Sequence, residues 1–586
     1  MESHGGWNFK ILDVDLSDRR IKEKKLDLET ARKFLGGRGL GVKILCDASQ
    51  KHGVFEAFSD ENPLVFAVGP LTGLAPMSGR HVVVSKSPLT GTIFDSSAGG
   101  FFGVELKFAG YDAVVVRGRA ERLVYLEIED EHCEIKDAEF LKCSNVTETS
   151  VKLGRGGRKV ACIGRAGERL VRFANIMSDV HHACGRGGLG AVMGFKNLKA
   201  VVVRASRERK AWWKHNGIAD AEKFEEAKED MMRLLRASPV LKALSYYGTA
   251  ALVNLVNYMR IMPTHNFRRS FFAAAENLSG ETIREKYELR SRSCYGCFVA
   301  CKHFTKSGVK IPEYETLWAF GANCGNADLE KIVKANELCD DYGIDTISCG
   351  GTLACYFELT GRFDTTASEG GVVSGSGQEI VELVRKIGER ESIGAELAEG
   401  SLRFAMNRGR RELSMSVKGL ELPGYDPRGV FGQALAYATS NRGGCHLRAY
   451  MVSLEIVGKP KLVNRLTFDG KAALVVIFQN LAAAIDSLVL CKFSSFALSE
   501  EEYARVLSAV TSLDYKAEDL LNIGERIWSL ERMFNLKHLG RLEDTLPERF
   551  FESLDEEGFE KALREYYHLR EWSADGVPTR AEGLHR

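Results

Sequence analysis

Three cysteines within eight residues, Cys294-Tyr295-Gly296-Cys297-Phe298-Val299-Ala300-Cys301, constrain this chain more than any other feature. Spacings of two and three residues let three thiolates face one point, as an inorganic cluster requires. Three protein ligands leave one iron of a [4Fe–4S] cluster open, so a fourth cysteine must arrive from elsewhere in the chain. Cys491 is the best remote candidate. Zinc is the competing occupant, because a Cys3His set could recruit His303. The tight spacing with a remote fourth cysteine favours the cluster. The other ten cysteines (Cys46, Cys133, Cys143, Cys162, Cys184, Cys324, Cys339, Cys349, Cys355 and Cys445) show no metal-like spacing. They read as small buried or partly buried thiols in a reducing compartment.

A change of texture divides the 586 residues. The first part is rich in glycine and in short β-branched runs, at 65–68, 82–85, 113–117, 123–128, 160–163 and 200–203, which predict strands. From Ala219 onward, 224–235, 239–247, 250–259, 329–341 and 378–387 carry helical spacing and charged faces. After a stretch punctuated by Gly and Pro at 419–429, the chain reads as mostly helix to its end. The expected architecture is α+β in three parts: a β-rich 1–208, a helical 209–415 with the three cysteines, and a helical 416–586 with Cys491. The boundaries fall in 209–216 and 414–418, and no solenoid-type repeat is visible.

Lys+Arg (80) and Asp+Glu (79) nearly balance, which argues against a generally basic, nucleic-acid-binding surface and leaves room for a local patch facing an acidic partner. The first residues lack an apolar targeting region, so the expected compartment is the cytoplasm. No membrane span is expected: the longest apolar candidate, 472–489, is broken by Gln479, Asn480 and Asp486 and reads as a buried helix. Gly185-Arg186-Gly187-Gly188-Leu189-Gly190 matches G-x-G-x-x-G. Its left flank, 180–184, does not read as a strand, so a nicotinamide-binding unit is not expected. Glycines beside an arginine still suit a phosphate.

Several segments together resemble the aldehyde ferredoxin oxidoreductase family of tungsten enzymes. They are 34–41, 69–73 with Ser78-Gly79-Arg80, 184–194, the triple-cysteine motif, 312–316, 340–348, 438–448, 486–493, and 532–535 followed by Leu546-Pro547. They follow the family's order over nearly the whole chain. The resemblance implies a tungsten (molybdenum is the weaker alternative) held by the dithiolene sulfurs of two pterins, whose phosphates share a magnesium ion. The protein then need supply no tungsten ligand, only orientation and electrostatics. The resemblance places this cofactor at the interface of a β-rich pterin-binding domain with two helical domains. Two D-x-x-G-[L/I]-[D/C] segments embrace the pterins. The first is Asp340-Asp341-Tyr342-Gly343-Ile344-Asp345; the second, Asp486-Ser487-Leu488-Val489-Leu490-Cys491, has Val489 in place of glycine. In this carry-over Asp340, Asp345 and Asp486 accept pterin N–H groups, and Ile344 and Leu490 flank them. Arg80 lies between pterin and cluster. Ser97 and Gly187 offer carbonyls to the magnesium with Arg186 alongside, although relatives commonly have Asn at the Ser97 position.

The activity implied is oxidation of aldehydes to carboxylic acids, with electrons passing through the cluster to ferredoxin or a ferredoxin-like subunit. A homodimer or hetero-oligomer is expected. Glu315 corresponds to the base and His446 to the group near the substrate oxygen; Glu313 is the alternative base. Arg448 and His265 could contact a charged substrate or be structural. The runner-up is a tungsten-dependent aromatic acyl-CoA reductase subunit of the same fold. A non-catalytic electron-transfer subunit is the reading from another class, and the presence of both Glu315 and His446 weighs against it.

Overall fold

The computed structural model describes residues 4–365, 371–373 and 375–579. The β-branched runs and glycine-rich turns of the first part build two six-stranded sheets. The first contains β1 (Lys10–Asp15), β2 (Arg20–Lys25), β3 (Leu64–Ala67), β4 (His81–Lys86), β5 (Ile93–Ala98) and β6 (Ala113–Arg117), in the order β2-β1-β6-β3-β4-β5. The second contains β7 (Val124–Glu129), β8 (His132–Asp137), β9 (Lys159–Cys162), β10 (Ile176–Ser178), β11 (His182–Cys184) and β12 (Leu198–Arg204), in the order β8-β7-β12-β9-β10-β11. The two sheets follow the same path. In each, the first and sixth strands pair in parallel and every other pairing is antiparallel.

The halves interlock. Helices Phe102–Ala109 and Leu189–Phe195 leave the sheets at equivalent points, after β5 and after β11. The first packs on β9 and β12 of the other half and the second on β3 and β4, while β5 and β11 lie against each other at the centre. Phe66, Val83, Val114, Leu126, Ala161 and Val201 therefore share one core.

All six predicted strands are present. β1, β2 and β8 were not predicted, being broken by charges, and neither were β5, β10 and β11. The flank 180–184 is corrected: its last three residues form β11, an edge strand antiparallel to β10. Since the glycines follow an antiparallel edge strand, the exclusion of a βαβ nucleotide site holds. Residues 209–216 lie wholly within one helix, Arg207–Asn216, capped by Ser206 and tied to the first part through Lys210–Glu105 at 2.7 Å.

In the helical remainder, Leu329–Tyr342 starts at Asp328, whose side chain accepts from the Glu330 and Lys331 amides. Lys471–Leu488 is long and apolar enough to cross a membrane by composition. It instead packs among Gly37–His52, Ala517–Leu539 and Glu556–Leu569. A hairpin, β13 (Leu289–Arg292) and β14 (Lys302–Thr305), closes the cysteine loop.

Candidate active site

A cavity of about 1080 Å³ opens between the β-rich part and the helices. This exceeds the usual volume of a small-molecule pocket. Cys294, Cys297, Cys301 and Cys491 line one part of it, and Glu315, His446, Asp340, Asp345 and Asp486 also line it.

The cysteine end is held by backbone. The Met77 amide donates to the Gly296 carbonyl (3.3 Å), and the Cys491 amide donates to the Met77 carbonyl (3.0 Å). One residue thus zips the triple-cysteine loop to the segment bearing the remote cysteine. Arg80 lies beside the Cys491 and Cys294 thiols and donates to Ser97 through Nε to Oγ (2.9 Å) and Nη2 to the carbonyl (3.0 Å). Among the described residues, no three Cys, His, Asp or Glu side chains converge as a single metal ion needs. His303 is turned to the Ser245 carbonyl (3.1 Å), so the zinc alternative lacks its fourth ligand.

Beneath the cavity runs a buried charge network. Arg38 binds Glu531 through two hydrogen bonds of 2.7 Å. Arg448 binds both oxygens of Asp95 (2.7 and 2.9 Å) and reaches Asp486 at 3.2 Å. Lys492 stands 3.0 Å from Asp486, and Arg442 donates to the Asp95 carbonyl. Against the cost of burial, Arg448, Arg38 and Arg442 hold Asp95 well below the usual carboxylate range.

The lining presents polar atoms with nothing in the protein to bond. Arg442 Nε, Arg448 Nε and Asn336 Nδ2 are such donors; Asn175 Oδ1 and Glu315 Oε1 are such acceptors; His446 Nδ1 is a sixth. Each orphan costs about 1–3 kcal/mol if it stays unsatisfied. Unpartnered donors and acceptors on residues that line one large void fit a polar heterocyclic guest such as a pterin.

Glu315 sits in the first turn of Tyr314–Phe320, with Oε2 accepting from the Gly424 amide (3.0 Å) and Oε1 3.6 Å from His446 Nε2. Burial lifts its carboxyl to about 8. Burial, reinforced by Arg186, Arg442 and Arg448, drops His446 to about 3, so the imidazole is neutral. Its ring sits between Tyr425 (5.6 Å) and Tyr450 (5.8 Å). Glu313 is different: Lys302, at 3.0 Å, holds it at about 2.

Among the other sequence-derived positions, Asp340 pairs with Lys310 (2.8 Å) at the cavity wall, where Ile344 also lies. Asp345 caps the helix Thr346–Leu359 and receives Arg186 Nε at 3.1 Å. Arg186 also donates to the Glu421 carbonyl (2.7 Å). The Gly187 carbonyl accepts from Ser87 Oγ (2.7 Å); Gly187 and Leu490 do not line the cavity. His265 stacks on Phe363 outside the lining, and Arg448 is locked into the charge network.

Sequence reading missed Arg38, Asp95 and Arg442 as site residues, although Arg38 and Arg442 stand in segments singled out for resemblance. It also set Cys445 aside as a bland thiol. Burial pushes that thiol up, but Arg442, Arg448 and Arg186 outweigh burial and bring it to about 7. Arg442 Nη2 donates to its sulfur at 2.8 Å.

The fold and site define a redox protein built around a large polar cofactor. The family description "Aldehyde ferredoxin oxidoreductase, N-terminal domain" matches residues 11–205, and "domains 2 & 3" of the same family match 226–583. The chain belongs to the aldehyde ferredoxin oxidoreductase family. It is 45% identical to the tungsten-containing aldehyde ferredoxin oxidoreductase of Pyrococcus furiosus over 98% of this chain and 97% of that one. A further relative from that organism, the WOR-like subunit of an aliphatic sulfonate oxidoreductase, is 30% identical over 98% of this chain and 95% of its own length. Among solved structures, the active-site complex BamBC of benzoyl coenzyme A reductase superposes with a TM-score of 0.83 at 25% identity, covering 98% of this chain and 96% of that one.

Proposed function

We propose that this protein oxidises aldehydes to carboxylic acids at a tungsten-bispterin held in the central cavity, and passes the electrons through a [4Fe–4S] cluster to ferredoxin or a ferredoxin-like protein. The observation that carries the reading is the pair Glu315–His446 at 3.6 Å, facing a void whose walls hold unpaired donors and acceptors. When bound, the tungsten-bispterin would supply a two-electron oxidant and the cluster held by Cys294, Cys297, Cys301 and Cys491 would supply a one-electron relay. Asp340, Asp345, Asp486, Arg442 and Arg448 are the groups that would hold the pterins, with Arg38 bracing them from beneath through Asp95. Arg80 bridges from Ser97 to the cluster thiols, and the Ser97 carbonyl is the proposed magnesium contact; Gly187, outside the cavity lining with its carbonyl taken by Ser87, is not proposed as a second.

The reaction consumes water and releases two protons with two electrons. Glu315 takes a proton at Oε1, which has no other partner; His446, neutral across the working range, positions the carbonyl oxygen by hydrogen bonding. A carboxyl lifted to about 8 makes a stronger base than an ordinary glutamate while still exchanging protons near neutrality. Glu313, held at about 2 by Lys302, is a poor acceptor, which favours Glu315 over its neighbour.

The test is Glu315→Gln, nearly isosteric. Aldehyde-dependent dye reduction should fall at least ~10²-fold with iron and tungsten contents unchanged, whereas Glu313→Gln should be milder. The wild-type rate should climb with pH toward a plateau above about 8, because the base acts deprotonated; the residual rate of Glu315→Gln should lack that rise. Full activity in Glu315→Gln would refute the assignment.

A further inference from the structure

From 289 to 312 the chain carries five cations, Arg290, Arg292, Lys302, Lys306 and Lys310, and no acid, in a protein whose charges otherwise balance 80 to 79. This run is the β13–β14 hairpin with the triple-cysteine loop between its strands. Three of the cations are answered: Lys302 by Glu313 (3.0 Å), Lys310 by Asp340 (2.8 Å) and Lys306 by Glu288 (3.4 Å). Arg290 and Arg292 have no carboxylate within ion-pairing distance among the described residues, and both are exposed. Two residues apart on one strand, they share a side of the hairpin. Arg292 is stacked over Phe304 at 4.2 Å, which limits its freedom before any partner arrives.

The loop between the two strands carries apolar surface. Phe298, between two of the cluster cysteines, is 38% exposed, and so is Phe101. Phe101 meets Tyr295 of the cysteine loop edge-on at 6.4 Å, and Lys159 lies over its ring at 5.1 Å. An aromatic centre with a cationic rim, immediately outside the cluster ligands, has the anatomy of a contact surface.

We propose that this face docks the electron acceptor, and that the acceptor is a small acidic iron–sulfur protein whose carboxylates meet Arg290 and Arg292 while its apolar rim covers Phe298 and Phe101. The inference rests on the reading of Cys294, Cys297, Cys301 and Cys491 as cluster ligands. Each encounter transfers one electron: the reduced cluster is oxidised by one and the carrier's cluster is reduced by one, so two encounters clear one aldehyde. Charge steering raises the encounter rate without the large buried area that would slow release. The acids that flank the run, Glu288 and Glu313, are already engaged by Lys306 and Lys302 and leave the two arginines dominant.

The experiment measures binding of oxidised ferredoxin by calorimetry at low and high salt, alongside aldehyde-dependent reduction of ferredoxin and of a dye. For R290E/R292E the dissociation constant and the KM for ferredoxin should rise at least ~10-fold, with R290Q/R292Q intermediate, and the salt dependence of binding should flatten. Dye reduction and iron content should not change in R290E, since Arg290 lies outside the cavity lining, whereas Arg292 stands at its wall. If R292E loses iron, R290E alone decides the matter. Unchanged ferredoxin binding in R290E would overturn the docking face. Absence of any aldehyde-dependent dye reduction in the wild type would instead sink the catalytic reading, while the binding measurement would still decide this surface.

Discussion

The turn at 340–345 rests on the second half of the β-rich part as the turn at 486–491 rests on the first. In each, a helix ends on a left-handed residue whose amide returns to the preceding turn: Gly343 to the Cys339 carbonyl and Val489 to the Ile485 carbonyl. The sixth residue of each is then pinned by its amide, Asp345 to the Phe173 carbonyl and Cys491 to the Met77 carbonyl, both at 3.0 Å. A glycine two residues beyond β9 or β3 is pressed onto the turn. A Cβ on Gly164 would lie 2.3 Å from the Tyr342 carbonyl, and one on Gly69 would lie 2.4 Å from the Leu488 carbonyl. The backbones are thus duplicated down to single contacts, and the side chains are not. Asp345 spends its carboxylate on a helix cap and on Arg186, whereas Cys491 turns its sulfur to the cluster loop. A paired scaffold can therefore grip a two-part cofactor symmetrically and still give its electrons only one exit.

The sharpest way to break this comparison is to exchange chemistry at the sixth positions. Cys491→Ser should lose most of the about four irons of a [4Fe–4S] cluster, and with them ferredoxin reduction. Asp345→Asn should keep the iron while lowering tungsten content, since it weakens the cap and the Arg186 contact. Iron and tungsten assayed separately would decide. Full iron in Cys491→Ser would move the fourth ligand elsewhere, and equal iron loss in both variants would deny the asymmetry.

Next in size are the two glycines. Gly69→Ala and Gly164→Ala each place a methyl against a backbone carbonyl that cannot swing aside, and each should cost about 3 kcal/mol or more, as severe overpacking does. The two costs should agree to about 1 kcal/mol if the halves are mechanically equivalent. Chemical denaturation of both variants measures this. A mild effect at one glycine only would show that its turn can retreat and that the duplication is merely topological.

The triple-cysteine loop was legible because it compresses its chemistry into a few neighbouring residues; Cys491 could only be named as a remote candidate, and the acidic turns stood out only by the resemblance of their segments. The duplication was not, because pairing order leaves no residue-level signature when the equivalent strands share so little sequence: β3 is Leu-Val-Phe-Ala and β9 is Lys-Val-Ala-Cys, alike only in their second residue. β2, Arg-Ile-Lys-Glu-Lys-Lys, hides as a strand because nearly all of it faces solvent. The Arg38–Glu531 and Arg448–Asp95 pairs join residues hundreds of positions apart. Cys445 owes its lowered thiol to Arg442 and Arg448, three residues away on either side, and to Arg186, which only the fold brings near; the sequence shows the first two but not that Arg442 turns onto the sulfur.

The smallest effect concerns the fourth position, where Val489 replaces glycine. A β-branched residue at φ 63° carries strain of about 1–2 kcal/mol. Its buried isopropyl group offsets this: full burial of a valine side chain is worth roughly 1.5–3 kcal/mol. Space for it exists because Gly37 has no side chain; Val489 Cγ2 lies 2.5 Å from where a Cβ on Gly37 would stand. Val489→Gly relieves the strain, but it leaves a void and adds about 0.5–1 kcal/mol of chain entropy to the unfolded state. The balance favours net destabilisation of about 1 kcal/mol. Gly343→Val has no such space, since a Cβ there already sits 3.3 Å from the Gly164 amide nitrogen. It should therefore cost at least about 2 kcal/mol more than Val489→Gly. Denaturation midpoints of the two variants test the order. Stabilisation by Val489→Gly would mean that backbone strain outweighs packing at this turn.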